Sequence, residues 1–210
     1  MEKIILLGCG GHAKSIVDAI ESQGIYEILG FIGTQEDKDF LYHNYKVIGS
    51  DRELNSFFNS GVANAFVCVG FMGEGEIRNR LFKQLKDIGY KLPLIADKTA
   101  VIASDAQIGE GTFIGKNAVI NSDAKIGSMV IINTSAIVEH DCVVGDFSHI
   151  SVGTVLCGNV CIGSSCMIGA NATVIQGKKI GNKVIIGAAS TVLTDLTDNQ
   201  KAVGIVKNSL

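Results

Sequence analysis

The chain has 210 residues, 47% of them hydrophobic and 19% charged, which excludes a disordered chain and leaves room for one or two domains with a sizeable core. Eighteen basic and twenty-one acidic side chains leave a net charge of -3, so composition offers no electrostatic reason to expect binding to nucleic acid or to an anionic membrane. Mean hydropathy is positive, +0.32, yet apolar runs such as 4–7 and 129–132 fall far short of the ~20 residues a membrane-spanning helix needs. The start, Met1-Glu2-Lys3, has no signal-peptide architecture. The six cysteines (Cys9, Cys68, Cys142, Cys157, Cys161, Cys166) form no CxxC pair and no disulfide-framework spacing. Most sit among small apolar neighbours and read as reduced core filler, and the cytosol is the expected compartment. The 25 glycines and single proline suggest regular tight turns.

Residues 1–95 alternate between strand and helix patterns. A short apolar strand at 4–7 ends in Gly8-Cys9-Gly10-Gly11-His12-Ala13, which fits G-x-G-x-x-[GA] between a strand and a helix. Glycines there let backbone amides approach a phosphate at the helix N-terminus. Helix 13–23 follows with Ile16, Val17 and Ile20 at helical spacing. Strand 26–32, an N-capped helix at 50–58 and strand 65–69 come next. The spacing predicts a helix over 74–89, with Ile77, Leu81, Leu85 and Ile88 on its apolar face, Glu74, Arg78, Arg80 and Lys83 on its polar face, and Gly89 at its end. A last strand is expected at 92–95. Such alternation implies a small parallel sheet covered by helices, a Rossmann-like α/β domain.

From residue 100 onward the period changes to six. Aliphatic residues recur without a slip from Ile102 through Ile108, Ile114 and Ile120 to Ile186 and Val192, sixteen consecutive hits. Glycine follows the aliphatic residue at 109, 115, 127, 145, 163, 169, 181 and 187, and a small residue often stands two places before it (Ala106, Ala118, Ala124, Ala136, Cys142, Ala172). Neither a helix nor a hairpin repeats every six residues; a parallel β-helix does, each short strand contributing one inward aliphatic before a turn. Residues 96–210 therefore form the second domain. If three hexads make one coil, residues eighteen apart stack about 4.8 Å from one another.

The repeat contains two of the four histidines, in Asn133-Thr134-Ser135-Ala136-Ile137-Val138-Glu139-His140-Asp141 and in Gly145-Asp146-Phe147-Ser148-His149. With the hexads and the Gly8–His12 loop, these segments resemble the PglD/NeuD-type sugar acetyltransferases over nearly the whole chain. That resemblance implies a left-handed β-helix behind a nucleotide-sugar-binding domain, and a homotrimer with sites at subunit interfaces. It also implies acetyl transfer from acetyl-CoA to an amino group on a nucleotide-linked aminodideoxy sugar in bacterial surface-glycan synthesis. His140 matches the general base, Asp141 the carboxylate that orients it, Gly158 the oxyanion donor and Asn133 a sugar contact. The chemistry agrees: the attacking amine must lose a proton near neutral pH, where imidazole titrates. His140 lies two places past an inward slot and is expected to face outward. Gly158 is eighteen residues on, so its N–H should come one coil away, placed for a tetrahedral oxyanion. His149 lies half a coil from His140, on another side of the prism. Adjacent subunits would have to bring the two together, and His149 is assigned a contact to acetyl-CoA. Gly10, Gly11 and His12 are assigned to the substrate phosphates.

A catalytic zinc site usually takes three protein ligands; with two histidines in the repeat and no completing cysteines, no metal is expected. Cys142 occupies a packing slot and is not the expected nucleophile; direct attack without an acyl-enzyme is. Two departures from the family stand out. The usual acid after the second strand, a nucleobase contact, is replaced by Gly33, with Glu36 and Asp37 displaced. The C-terminal Gly-x-Pro-Ala motif near the CoA adenine is replaced by Gly204-Ile205-Val206-Lys207. The competing readings are an O-acetyltransferase for sialic acid or a related sugar, a non-catalytic partner of a sugar-biosynthesis enzyme, and acetyl transfer to serine or another small metabolite. His43 and the charged segment 36–39 read as loop.

Overall fold

The computed structural model describes residues 1–71 and 76–207. They divide into two compact units: 1–70 with 76–95, and Phe71 with 96–207.

The first unit is a five-stranded sheet with helices. It contains β1 (Glu2–Leu7), α1 (Gly11–Gln23), β2 (Tyr26–Ile32), β3 (Leu41–Tyr42), β4 (Tyr45–Gly49), α2 (Leu54–Asn59), β5 (Asn64–Val67) and α3 (Glu76–Ile88). The sheet order is β3-β4-β2-β1-β5, parallel except for the β3–β4 hairpin. Ile4, Ile5, Leu6 and Leu7 are all buried, as befits a central strand covered on both faces. Ser50 caps its helix through a reciprocal bond pattern with Glu53, whose carboxylate accepts from the Ser50 N–H at 2.6 Å and hydroxyl at 2.8 Å.

Three expectations are corrected here. The β3–β4 hairpin went unread: its strands are short, and it turns through His43, which has φ 51°, so His43 belongs to a hairpin turn. Residues 92–94 are not strand; Pro93 has no N–H for a ladder, and the sheet is met only by a single bridge from Lys91 to Asn64. In α3 the buried stripe runs through Arg78, Leu81 and Leu85, while Ile77 is 56% exposed. Counting arginine as polar moved the predicted face by one residue at the first turn. Burial pushes the Arg78 guanidinium down to about 10. The predicted helix start at Glu74 lies outside the described residues.

The second unit is a left-handed parallel β-helix. Sixteen two-residue strands run from Val101–Ile102 to Thr191–Val192, each ending on one of the sixteen aliphatic positions. They stack on three faces with an offset of eighteen: Val119 on Ile137 on Val155, Lys125 on Val143 on Cys161, Ile131 on His149 on Met167. The inward aliphatics and the small residues two places before them make one continuous core. After Val192 the offset shortens, with Ile185 paired to Lys201 and Thr191 to Ile205.

The glycines are not chiefly turn residues, contrary to expectation. Every sixth position from 111 to 189 has φ between 54° and 72°, but only Gly111, Gly153 and Gly177 among these are glycine; Asn117, Asp123, Ser135, Asp141, Asn159 and others fill the rest. The glycines after the aliphatic positions serve close approach instead. A Cβ on Gly145 would lie 2.6 Å from the Gly163 carbonyl carbon and the Ser164 nitrogen of the next coil. Because both obstacles are backbone, Gly145→Ala is expected to cost about 1–3 kcal/mol, measured as a lowered urea midpoint.

Candidate active site

The stacking rule determines the site. His140 follows the strand Ile137–Val138 at a coil corner, and Asp141 takes the left-handed turn conformation there, φ 60°. That turn brings the Asp141 carboxylate back to the imidazole: Nδ1 to Oδ2 is 2.8 Å. Both side chains are open to solvent, 55% and 57% exposed. The hydrogen bond to Asp141, aided by the charges of Asp141 and Glu139, raises the His140 pKa above the ordinary imidazole value, against a smaller opposing desolvation. With the ring proton on Nδ1, Nε2 is the free acceptor.

Gly158 lies directly beneath this ring. A Cβ there would be 2.5 Å from Nε2 and 2.6 Å from Cε1 of His140, so the imidazole occupies the space a side chain would take. The neighbouring Asn159 N–H donates to the His140 carbonyl at 2.9 Å, and the Gly158 carbonyl accepts from Gly177 N–H at 3.0 Å. Among the described residues the Gly158 N–H donates to no carbonyl. An imidazole, a carboxylate behind it and an N–H without a carbonyl partner thus meet at one corner, groups of the kind that deprotonation of a nucleophile and stabilisation of an oxyanion require.

Asn133 and His149 are also brought together, on a different face. The Asn133 Oδ1 accepts from the Thr134 N–H at 2.8 Å, which turns its Nδ2 toward His149 Nε2 at 3.1 Å. His149 Nε2 is then an acceptor, and Nδ1 donates to the Phe71 carbonyl at 2.8 Å. The ring is buried and both nitrogens are engaged within the chain; sequence reading carried no signal for the Phe71 contact, 78 residues away. Cys142 is fully buried; its thiol donates to the Cys157 carbonyl at 3.2 Å and burial pushes it up to about 11. All six cysteines are free thiols, and no cluster of three metal-ligating groups occurs among the described residues. In the first unit, Gly10 is the N-cap of α1 with φ -83°, and nothing within 4 Å would meet a Cβ on Gly10 or Gly11. The chain itself does not demand glycine at either position. His12 follows in the first turn of α1.

A six-residue-period β-helix with this corner, attached to an α/β unit, defines the class of hexapeptide-repeat acyltransferases. The model of the PglD N-terminal domain matches residues 3–85. The acetyltransferase domain of PglB from Neisseria gonorrhoeae is 30% identical, with 97% of each chain covered and a TM-score of 0.90; it has also been solved with acetyl coenzyme A. PerB from Caulobacter crescentus, solved with CoA and GDP-perosamine, is 30% identical over 99% of this chain and 98% of its own, TM-score 0.90. WeeI from Acinetobacter baumannii shares the fold at 19% identity and a TM-score of 0.76, with 97% of each chain covered. A search of curated protein sequences finds no match. The chain belongs to the PglD/NeuD-type family of sugar acetyltransferases.

Since a methyl group on residue 158 meets the end of a flexible side chain and not backbone, Gly158→Ala is expected to displace the imidazole and leave the fold intact. An NMR titration of His140 should show its pKa falling back toward 6.5, with an unchanged melting temperature.

Proposed function

We propose that this acetyltransferase moves the acetyl group of acetyl-CoA onto the amino group of a nucleotide-linked aminodideoxy sugar, in the cytosol, during synthesis of a bacterial surface glycan. The observation that carries the reading is the His140 ring, held by Asp141 at 2.8 Å and seated in the space a side chain at Gly158 would take, next to a residue whose N–H donates to no carbonyl among the described residues. The acceptor amine donates to Nε2 and attacks the thioester carbonyl. As the C–N bond forms, its proton passes to Nε2, and Asp141 stabilises the imidazolium. The carbonyl oxygen becomes an oxyanion that accepts from Gly158 N–H. On collapse the C–S bond breaks, and the sulfur leaves with the proton returned by His140, giving the amide and free CoA. No acyl-enzyme is needed, and Cys142, buried and with its thiol raised, is unsuited to form one.

The PerB complex, which holds CoA and GDP-perosamine, supports a nucleotide-sugar acceptor. Gly10, Gly11 and His12, at the unobstructed N-terminus of α1, are the proposed phosphate cradle. A shallow depression of about 490 Å³ on the face that includes Lys125, Val143, Gly145 and Asp146 offers room for the arm of the acyl donor. Asn133 and His149 lie on another face from His140. In the proposed homotrimer one protomer supplies Asn133 to the sugar, with His149 holding the Asn133 amide beside the acetyl-CoA, and its neighbour supplies His140.

His140→Ala is expected to lower turnover by about 10²–10⁴-fold with the fold retained, because the side chain is exposed; unchanged turnover removes His140 from the mechanism. Only the neutral ring accepts a proton, so turnover should rise with pH through a His140 pKa lying above the ordinary value. Asp141→Asn should lower turnover and move that acid limb to lower pH. Paired assays with amine and hydroxyl acceptors separate N- from O-acetylation.

A further inference from the structure

The C-terminal ends of β1 and β2 lie side by side, Leu7 in register with Ile32, and the Gly8 N–H donates to the Ile32 carbonyl at 2.9 Å. Beyond these ends the Gly8–Cys9–Gly10 loop and Gly33 occupy one edge of the sheet. In α/β folds that bind nucleotides across this edge, an acid after the second strand takes a hydrogen-bond donor of the nucleoside. Here residue 33 has no side chain, and its φ is outside the left-handed region, so the backbone does not call for glycine.

Another side chain fills the gap. A Cβ on Gly33 would lie 2.9 Å from Asp37 Cβ, 3.1 Å from Cys9 Sγ and 3.2 Å from Asp37 Oδ2. The carboxyl of Asp37 is thus folded back to where a side chain at 33 would begin. The fold-back is built by the turn Gln35–Asp37: Asp37 Oδ2 accepts from both the N–H and the hydroxyl of Thr34, each at 2.8 Å. Oδ1 accepts from none of the described residues, and Asp37 remains half-buried. Cys9, whose thiol is raised to about 11 by burial and by the Asp37 charge, stays neutral beside it. One oxygen anchors the turn; the other is left over at the edge of the sheet.

We infer that Asp37 is a specificity residue of the sugar-nucleotide site, its free carboxylate oxygen accepting a hydrogen bond from a base N–H or ribose O–H in place of an acid at position 33. The inference rests on the proposed nucleotide-sugar acceptor. Asp37→Asn tests it cleanly, since the asparagine oxygen can keep both Thr34 bonds while its amide turns the free acceptor into a donor.

Binding of GDP, UDP and dTDP to the full chain is measured by calorimetry, with CoA as control. Wild type is expected to bind at least one of the three, and Asp37→Asn to bind it roughly 10–100-fold more weakly, with CoA affinity unchanged. A loss that extends to dTDP assigns the donor to the base or the 3′-hydroxyl; a loss confined to GDP and UDP assigns it to the ribose 2′-hydroxyl. If wild type binds a nucleotide and Asp37→Asn binds it equally well, the role of Asp37 is overturned and the acceptor class stands. If acetyl-CoA binds and no nucleotide does, the acceptor class fails and this inference with it. Should Asp37→Asn also lower the melting temperature, Gly33→Asp with Asp37→Gly decides. That exchange returns the acid to the strand end and removes the 2.9 Å approach to Asp37 Cβ, leaving the Cys9 thiol at 3.1 Å to give way. Recovered nucleotide affinity upholds a contact to ligand, and no recovery leaves Asp37 a turn cap only.

Discussion

Everything in the second unit depends on the eighteen-residue backbone ladder. Each coil repeats the one before it, so a residue's neighbour on the next coil is known once its number is known. The ladder is held by inward aliphatics, buried along the whole column from Ile114 to Val192, and by interstrand N–H to carbonyl bonds of 2.8–3.2 Å such as Val119 to Ala136 and Ile175 to Val192. Burial of apolar area supplies the driving force, and the hydrogen bonds supply the register. A site made of residues from two coils is therefore as rigid as the stack, and Gly158 lies under His140 because 158 minus 140 is one coil.

The corner also separates two demands that glycine usually meets together. Turning the chain at each corner needs a left-handed residue, and from 111 to 189 the repeat gives seven of those fourteen places to Asn, Asp or Ser, of which Asn and Asp tolerate it best. At half of the corners the coils approach so closely after the aliphatic residue that no Cβ fits, and glycine stands there. Asp141 is one of the turning residues, equivalent to Asp123 one coil earlier and Asn159 one coil later. Its carboxylate was available at the corner whether or not a histidine preceded it; Ser122-Asp123 is the same corner without the imidazole. The identity of one residue turns a generic corner into an imidazole hydrogen-bonded to a carboxylate, and glycine at the following coil leaves the space for its ring.

This is why so much of the second unit was legible in the sequence. Period six specifies inward positions, coil and partner from numbering alone, and the placement of His140, Asp141 and Gly158 followed from it. The first unit has no such ruler. Its main strands and helices were read from apolar runs, but the β3–β4 hairpin has too few residues to show a period. Arg78 was assigned to the wrong face because burial of an arginine cannot be inferred from its type. Contacts between distant segments left no trace either: the carbonyl of Phe71 on His149 is a backbone group, identical at every residue, so no choice of side chain records it.

Asp37 shows a different way in which a sequence misleads. Read along the chain, the acid expected after β2 is missing, replaced by a glycine that can carry no chemistry. Read in space, glycine is what the arrangement requires: any Cβ at 33 would collide with the carboxyl arriving from four residues later. The bare strand end at 33 and the carboxyl folded back from 37 fit one another, held by the Thr34 bonds that set the turn. Hydrogen bonding to a ligand constrains where an oxygen atom sits, not which residue number bears it. A short turn can bring a carboxylate from 37 to the edge where a strand end would present one from 33, a placement that the linear order does not display.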